Sequence, residues 1–275
     1  MTVPLGTLRT NILGTGVGEV RIGTLSMAGK LPQANSVGAV QSASFEEATT
    51  MIEAEAGSPS QLVAIAFGKK TYSFKAETLE RSAANLNAAI GNGIIASATG
   101  VDTHLTSDEV AGSTVITVAD ASAISPGSMI TVYPEGKPEQ VSVCLVQSKS
   151  SNDLTLDAST PLLYDAPGST DTDTVYHVYV SNVISGGKVT GGVKNFSLTW
   201  IKQSVSGKPI VYHFWKVAAK GNFTDSGSST EFTKVPLEFQ ILTPSLADVA
   251  VGGALYHARN MIAKHPVYAI IQEVD

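Results

Sequence analysis

The feature that most constrains the fold is a strict alternation of apolar and polar residues, which recurs in several short segments. The clearest examples are residues 72–78, where Tyr72, Phe74 and Ala76 alternate with polar residues, and residues 231–242, where Leu237, Phe239 and Ile241 alternate with Glu238 and Gln240. A β-strand has a side-chain period of two, so each segment is predicted to bury one face. Similar runs are separated by turn signals rich in Gly, Pro, Asn and Ser. The sequence therefore predicts a mainly β protein.

Most of the predicted strands are short, but residues 41–56 are predicted to be long and extended, with mixed polarity on both faces. The predicted strands cover residues 17–27, 41–56, 61–67, 72–78, 115–118, 129–133, 140–146, 154–156, 175–180, 196–202, 209–217 and 231–242. A turn is predicted at residues 68–70, between the third and fourth of these strands, because Gly68 is followed there by two lysines.

One helix is predicted between the strands. An apolar stripe with the spacing i, i+4, i+7 and i+11 begins at Leu79 and ends at Ile90, and this spacing places the stripe on one helix face. Thr78 is positioned to cap the N-terminus, and Gly91 is positioned to end the helix. The helix is expected to cover one face of a sheet.

The segment 104–182 differs in texture from the rest of the chain. It holds five short predicted strands, a pattern typical of a small barrel or sandwich, and glycine pairs follow it at 186–187 and 191–192. Both tryptophans lie outside it. The simplest organisation is one core domain built from residues 1–103 and 183–275, with 104–182 inserted as a small all-β domain.

Composition and charge narrow the function classes. The net charge is −6 and only 15% of residues are charged, so a basic face that grips phosphates is not expected. Cys144 is the single cysteine and is predicted to be a buried core thiol. No basic-then-apolar leader and no apolar run of about 18 residues occurs. Synthesis in a cytoplasm, without membrane insertion, is therefore expected.

No pattern of catalytic or cofactor-binding residues stands out. The glycines of 14–18 lack the spacing of a phosphate-binding loop, so a flexible N-terminal segment is predicted there. Asp171 and Asp173, with Asp165 nearby, lack the glycine and the distal glutamate of a calcium loop. No enzyme activity, cofactor or metal is expected.

Several segments carry a family resemblance, in the order that the family uses. Gly18–Gly23 resembles its opening strand, Ser42–Glu46 begins its long strand, and Tyr72–Glu77 leads into its helix. The most specific part is an aromatic-Trp-Lys strand, Tyr212–Val217, followed by the F-T-x-x-P-L-E-F strand, Phe232–Phe239. These segments resemble the major tail tube proteins of long-tailed, siphovirus-like bacteriophages.

The resemblance covers roughly residues 1–103 and 183–260. It implies a two-sheet β-sandwich or barrel with one flanking helix, which forms hexameric rings that stack into a tube for DNA ejection. The implied partners are copies of the chain, the tape measure, tail tip and terminator proteins, and genomic DNA in transit without specific binding. The implied location is the virion tail, assembled in the host cytoplasm.

The segment 104–182 departs from the minimal family pattern. It resembles the surface domains that some tail tube proteins carry outside the tube, and it would obstruct a contractile sheath, which favours a non-contractile tail. The inner tube of a contractile tail or of a related secretion machine stays open as an alternative. A carbohydrate-binding or decoration role for this segment would need exposed aromatic residues on one face. Tyr133, Tyr164, Tyr176 and Tyr179 are available, although an alternating core explains Tyr176 and Tyr179 equally well.

Four glutamates are candidates for the wall of the channel. The strands expected to face it carry Glu47, Glu53, Glu55 and Glu77, with Lys75 as a nearby cation. A wall biased towards carboxylates repels phosphate and keeps the duplex mobile. The alternative, that these are ordinary solvated or subunit-contact charges, stays open.

Overall fold

A computed structural model of the chain describes residues 14–56, 61–91, 102–168, 175–181, 194–204, 207–221 and 233–272, and it describes their side chains except at 14–15, 54–56, 61–65 and 138. Of the described residues, 52% lie in strands and 14% in helices, and the strands form two antiparallel sheets of which one is a curled half-barrel. The prediction of a mainly β fold with few helices is therefore confirmed. None of the described helices has the length and apolarity needed to cross a membrane.

The elements are labelled in chain order. The strands are β1 (Gly14–Gly23), β2 (Val40–Ala56), β3 (Gln61–Thr78), β4 (Asp102–His104), β5 (Val115–Thr117), β6 (Met129–Pro134), β7 (Ser142–Ser150), β8 (Asp153–Leu156), β9 (Tyr176–Ser181), β10 (Asn195–Ser204), β11 (Pro209–Ala219), β12 (Val235–Leu242) and β13 (Tyr268–Gln272). The helices are α1 (Ala83–Ile90), α2 (Leu246–Val249) and α3 (Arg259–Lys264).

The chain divides into two compact units. Unit 1 comprises Met1–Ile95 and Gly186–Asp275, and unit 2 comprises Ala96–Ser185. Each unit contains its own sheet and its own cluster of buried apolar side chains. Independent folding of the inserted segment stays a prediction, to which the Discussion returns.

Unit 1 is built on a seven-stranded antiparallel sheet. The strand order is β1-β10-β11-β12-β3-β2, and β13 pairs with the first half of β11. The inward side chains of neighbouring strands meet directly, as at the pair Phe74 and Phe239. The Phe74 ring also lies 5.5 Å from the rings of Trp200 and Phe214, measured between centroids. Cross-strand aromatic contacts of this kind fix the register of the sheet.

The turn predicted at residues 68–70 is wrong. β3 runs without a break from Gln61 to Thr78, and β2 pairs with it along its length. Residues 68–70 stay within the strand, because the register of β2 and β3 shifts between Thr49 and Met51, which lie opposite this segment. Gly68 fits this shift, because a Cβ atom there would lie 3.0 Å from the carbonyl oxygen of Thr50. A β-bulge therefore replaces the predicted turn.

The predicted helix exists, but it begins later than predicted. The N-cap is Ser82, whose Oγ accepts a hydrogen bond of 3.1 Å from the backbone N–H of Asn85. Thr78 does not cap the helix, because it belongs to β3 and its hydroxyl donates to the Val37 carbonyl at 2.8 Å. Gly91 ends the helix in the left-handed conformation, with φ of 84°, as predicted.

Other elements differ from the sequence predictions. The short elements α2, α3, β4 and β13 were not predicted, and the segment expected to be a flexible N-terminus contributes the start of β1. Gly18 allows β1 to bulge there, because its φ is +79° and a Cβ atom would collide with the Ile201 carbonyl. The glycines at this position therefore serve strand geometry and not a loop.

Unit 2 is a six-stranded antiparallel sheet with the order β4-β9-β6-β7-β8-β5. An isolated bridge between Leu105 and Val118 connects residues next to the two edge strands, so the sheet curls back towards itself. Alternate residues of β6 and β9 are buried against one core. Cys144 lies in that core, as predicted, and burial raises the pKa of its thiol to about 11.

Candidate functional site

The site residues predicted from the sequence lie on or beside a long hairpin formed by β2 and β3. These strands have 17 and 18 residues, about three times the usual strand length of roughly 5–6 residues. Among the described side chains of the hairpin, those at its base pack on the core of unit 1, where Phe45 lies opposite Phe74. At about 3.3 Å per residue, the distal part from Thr49 to Ala56 extends roughly 25 Å along the strand.

The distal part of the hairpin exposes large apolar side chains. Met51 is 54% exposed, Ile52 is 61% exposed and Phe67 is 75% exposed. The outer edge of β2 forms no strand pairing with any other described part of the chain. Such an edge presents free backbone N–H and C=O groups beside apolar surface, which favours pairing with another chain.

The face of the hairpin base that points away from the core is polar. Ser42, Ser44 and Glu46 on β2 lie opposite Glu77, Lys75 and Ser73 on β3. Glu238 on β12 continues this face beside Lys75. A shallow groove of about 230 Å³ runs between these strands. We call this surface the polar face; it carries the carboxylates of Glu46, Glu77 and Glu238 and the ammonium group of Lys75.

Glu47 lies on the opposite face of the hairpin, where it forms a defined cluster. Its carboxylate accepts hydrogen bonds from the Tyr268 hydroxyl at 2.7 Å and from Lys70 Nζ at 2.9 Å. The hydrogen bond from Tyr268, followed by that from Lys70, lowers the pKa of Glu47 below its ordinary value. Burial, with a contribution from Glu47, raises the pKa of Tyr268 to about 12. Glu47 therefore links the hairpin to β13.

The four predicted glutamates do not form one row. Glu53 is exposed and lies six residues beyond Glu47 on β2. The register shift between them has its extra residue on β3, so alternation along β2 places Glu53 on the same face as Glu47. Glu77 lies on the polar face, on the other side of the sheet. The backbone of Glu55 belongs to β2, but its side chain lies outside the described residues.

Sequence reasoning missed two carboxylates of the polar face. Alternation places Glu46 on the side of its strand opposite Glu47 and makes Glu238 an outward residue of its own strand, but it does not indicate that the two share a surface. The alternation of β12 contained the signal, because Leu237 and Phe239 are buried on either side of Glu238. The pairing of β12 with β3, which brings Glu238 next to Lys75, is a long-range contact that alternation alone does not predict.

No arrangement for metal binding was found among the described residues: they contain no group of three or more His, Cys, Asp or Glu side chains with suitable geometry. Asp171 and Asp173, the residues considered for a calcium loop, lie outside the described residues.

No protein-family model and no curated protein matches the chain. The arrangement of the hairpin, with its open edge, exposed apolar end and polar face, is therefore the basis for a functional proposal.

Proposed function

We propose that the chain is the structural subunit of a phage-type tail tube, which assembles through the β2–β3 hairpin into closed rings that stack around a channel. The observation that carries the proposal is the long hairpin with an open edge and an exposed apolar end. Six copies per ring are proposed from the sequence resemblance alone. The tube would be part of a virion tail and would conduct DNA during ejection.

The open edge of β2 supports ring formation. A strand of 17 residues with an open edge is an aggregation hazard in a monomer, and native proteins normally shorten, charge or cover such edges. Pairing of β2 with a neighbouring copy in a closed ring covers every edge and leaves none for further growth. Ring closure would therefore give hydrogen-bond partners to the backbone N–H and C=O groups at this edge.

The apolar end of the hairpin supports the same proposal. Met51, Ile52 and Phe67 each expose more than half of their surface, and Met51 and Phe67 lie opposite each other on the two strands. Full burial of an exposed apolar side chain contributes roughly 1.5–3 kcal/mol, at about 25 cal/mol per Å² of buried apolar area. Covering each of these three side chains contributes the part of that energy set by its exposed fraction. Contacts of this size, repeated at every subunit boundary, stabilise an assembly of many copies.

The polar face supports a DNA channel. It carries three carboxylates and one lysine, and its outward serines add no positive charge. A lysine-rich or arginine-rich wall would release counterions, bind the duplex and slow its passage, whereas a wall biased towards carboxylates leaves it mobile. We propose that this face, with Glu46, Glu77 and Glu238, lines the channel, and that Glu47 and Glu53 lie on the other side of the wall.

Negative-stain microscopy of the purified full-length protein tests the assembly. We expect rings or tubes with an open lumen. The variants Phe67→Glu and Met51→Glu should remain folded, because both side chains are exposed, but should not form rings, because a charge would be buried at each subunit contact. A strictly monomeric wild-type protein at high concentration would refute the proposal.

A matched control separates assembly from general changes in solubility. Val110 is 66% exposed and belongs to unit 2, so Val110→Glu introduces the same charge in the unit that does not contain the hairpin. We expect this variant to assemble like the wild type. Equal loss of assembly in Val110→Glu and Phe67→Glu would show that the hairpin end is not the contact.

A further inference from the structure

Unit 2 carries a group of aromatic side chains on the outer face of its sheet. Tyr133 on β6 lies opposite His177 on β9, and Tyr179 is two residues further along β9. These three residues point away from the core, because Val132 and Val178 beside them are fully buried. Tyr133, His177 and Tyr179 are called the aromatic patch below.

The structure resolves the alternative left open by the sequence for the tyrosines of β9. Tyr176 belongs to the core, and its hydroxyl donates to the Asp165 carbonyl at 3.1 Å. Tyr179 alternates to the outer face, where it joins Tyr133. An alternating core therefore explains Tyr176, but it does not explain two tyrosines and a histidine gathered on the outside.

The three rings form a patch and not a column. Tyr179 is nearly parallel to Tyr133 and to His177, with interplanar angles of 16° and 23°, whereas the rings of Tyr133 and His177 are tilted by 37°. The corresponding centroid distances are 5.6, 5.7 and 6.3 Å. In a column of stacked rings, the first and third centroids would be about twice as far apart as neighbours. The nearly equal distances mean that the rings lie offset beside one another.

Polar groups border the aromatic patch. Asp102 Oδ1 lies 3.1 Å from His177 Nδ1, and Asp102 is itself exposed. Burial raises the pKa of Tyr179 to about 12, and hydrogen bonds with Asp102 and Tyr133 add to this shift. The Tyr179 hydroxyl is therefore a protonated donor at neutral pH. On the other side, the Ser181 hydroxyl lies 3.2 Å from the Thr131 hydroxyl.

The charge of this face restricts the ligand. The outward residues of β4, β6 and β9 include one carboxylate and no lysine or arginine; they are Asp102, His104, Met129, Thr131, Tyr133, His177, Tyr179 and Ser181. Nucleic acids and other polyanions need basic side chains, so they do not fit. Aromatic faces bordered by a carboxylate and hydroxyls fit a ligand that has C–H surface and many neutral hydroxyl groups.

We propose that the aromatic patch of unit 2 binds a neutral pyranose glycan. The apolar C–H face of a sugar ring packs on the tyrosine rings, which supply rigid apolar area at a small entropic cost. The sugar hydroxyls donate to the Asp102 carboxylate and exchange hydrogen bonds with the Tyr133 and Tyr179 hydroxyls. The site is independent of the tube proposal, because every residue involved belongs to unit 2.

The test uses the full-length protein on an array of oligosaccharides. The probes are neutral oligomers of glucose, galactose, mannose and N-acetylglucosamine, together with sulfated and sialylated oligomers. We expect retention on at least one neutral class. Tyr179→Ala and Tyr133→Ala should each weaken binding about tenfold or more, because each removes one stacking face. Tyr179→Phe should keep most of the affinity, because its ring remains.

Tyr164→Ala is the matched control, since Tyr164 is 41% exposed in the same unit but lies outside the patch, and its binding should equal that of the wild type. If the alanine variants unfold, saturation-transfer NMR of the wild type with a retained neutral glycan still decides, since transfer should be strongest at the C–H protons of the sugar face. Three results would each overturn the proposal: retention of charged glycans alone, retention of no glycan, or binding by Tyr133→Ala and Tyr179→Ala that equals binding by the wild type.

Discussion

Asp248 joins the loop after β12 to the sheet of unit 1. Its Oδ2 accepts hydrogen bonds from Lys216 Nζ at 2.9 Å and from the Ser245 backbone N–H at 2.6 Å, and the latter contact completes a capping box at the start of α2. The side chains of Lys216 and Asp248 are only 14% and 17% exposed. Burial alone would raise the pKa of Asp248, but the hydrogen bonds from Lys216 and Ser245 outweigh it, and the net shift is downward.

We predict that Asp248→Asn lowers the free energy of unfolding by about 1–3 kcal/mol at pH 7, because it removes a charge-assisted hydrogen bond to a partly buried lysine. The folded pKa lies below the ordinary value of 3.8, so the stabilisation is present above pH 3.8 and is lost as the pH falls through the folded pKa. The difference between wild type and variant should therefore shrink in acid. Urea unfolding at several pH values measures it.

Glu46→Gln is the control for this prediction, since it neutralises an exposed carboxylate of the same unit. Its free energy of unfolding should stay within about 0.5 kcal/mol of the wild type, as for most surface substitutions. A difference between wild type and Asp248→Asn that does not change with pH would contradict the assignment of the effect to the ion pair.

The hairpin is the element on which the function of the channel wall can be tested. Its two faces carry different glutamates: Glu46 and Glu77 lie on the polar face, and Glu53 lies on the opposite face. Reversing the charge of one face at a time therefore tells which face meets the DNA, without changing the hairpin backbone.

We predict that tubes of Glu46→Lys/Glu77→Lys retain duplex DNA, while wild-type tubes do not. New lysines in the channel would gain affinity by releasing counterions. Co-sedimentation of DNA with assembled tubes measures retention, which should fall steeply between about 50 and 200 mM salt. Glu53→Lys should behave like the wild type. Retention by Glu53→Lys alone would assign the channel to the other face, and retention by neither variant would remove the lumen assignment.

Elements with strong local signals could be predicted from the sequence, and those defined by long-range pairing could not. The alternation of β12 and the glycine after α1 follow from local geometry, and both predictions are confirmed. β13 was missed although Tyr268, Ile270 and Ile271 favour a strand, because the segment lacks the apolar–polar alternation of β12 and only its pairing with β11 defines it. The contact between Glu47 and Tyr268 joins residues more than two hundred positions apart, so the sequence indicated the glutamate but not its partner.

At the scale of the whole molecule, unit 2 enters and leaves through neighbouring strands. Asp102, at the start of β4, is paired with Tyr179, near the end of β9. Within unit 1, the described residues on either side of the inserted segment also lie close together. A Cβ atom on Gly91 would lie 3.5 Å from that of Ala219, and Asn195 is paired with Ala218. Each unit therefore presents its two chain ends side by side, as expected of an inserted domain.

We predict that deleting residues 102–181 and joining the flanking segments through a short Gly/Ser linker leaves a protein that folds and still forms tubes. Gly91 and Asn195 flank the deletion and both lie beside residues 218–219, so they are within roughly 10 Å of each other, since paired strands lie about 5 Å apart. The retained residues between them, with the linker, span that distance easily at about 3.3 Å each. The core of unit 1 and the β2–β3 hairpin are untouched. Thermal unfolding should remain cooperative, and microscopy should show tubes. These tubes should not bind the glycans that the full-length protein retains.

A deletion protein that is insoluble, together with an isolated 102–181 fragment that is unfolded, would mean that the two units do not fold separately. A folded deletion protein that fails to assemble would instead place part of the subunit contact in unit 2.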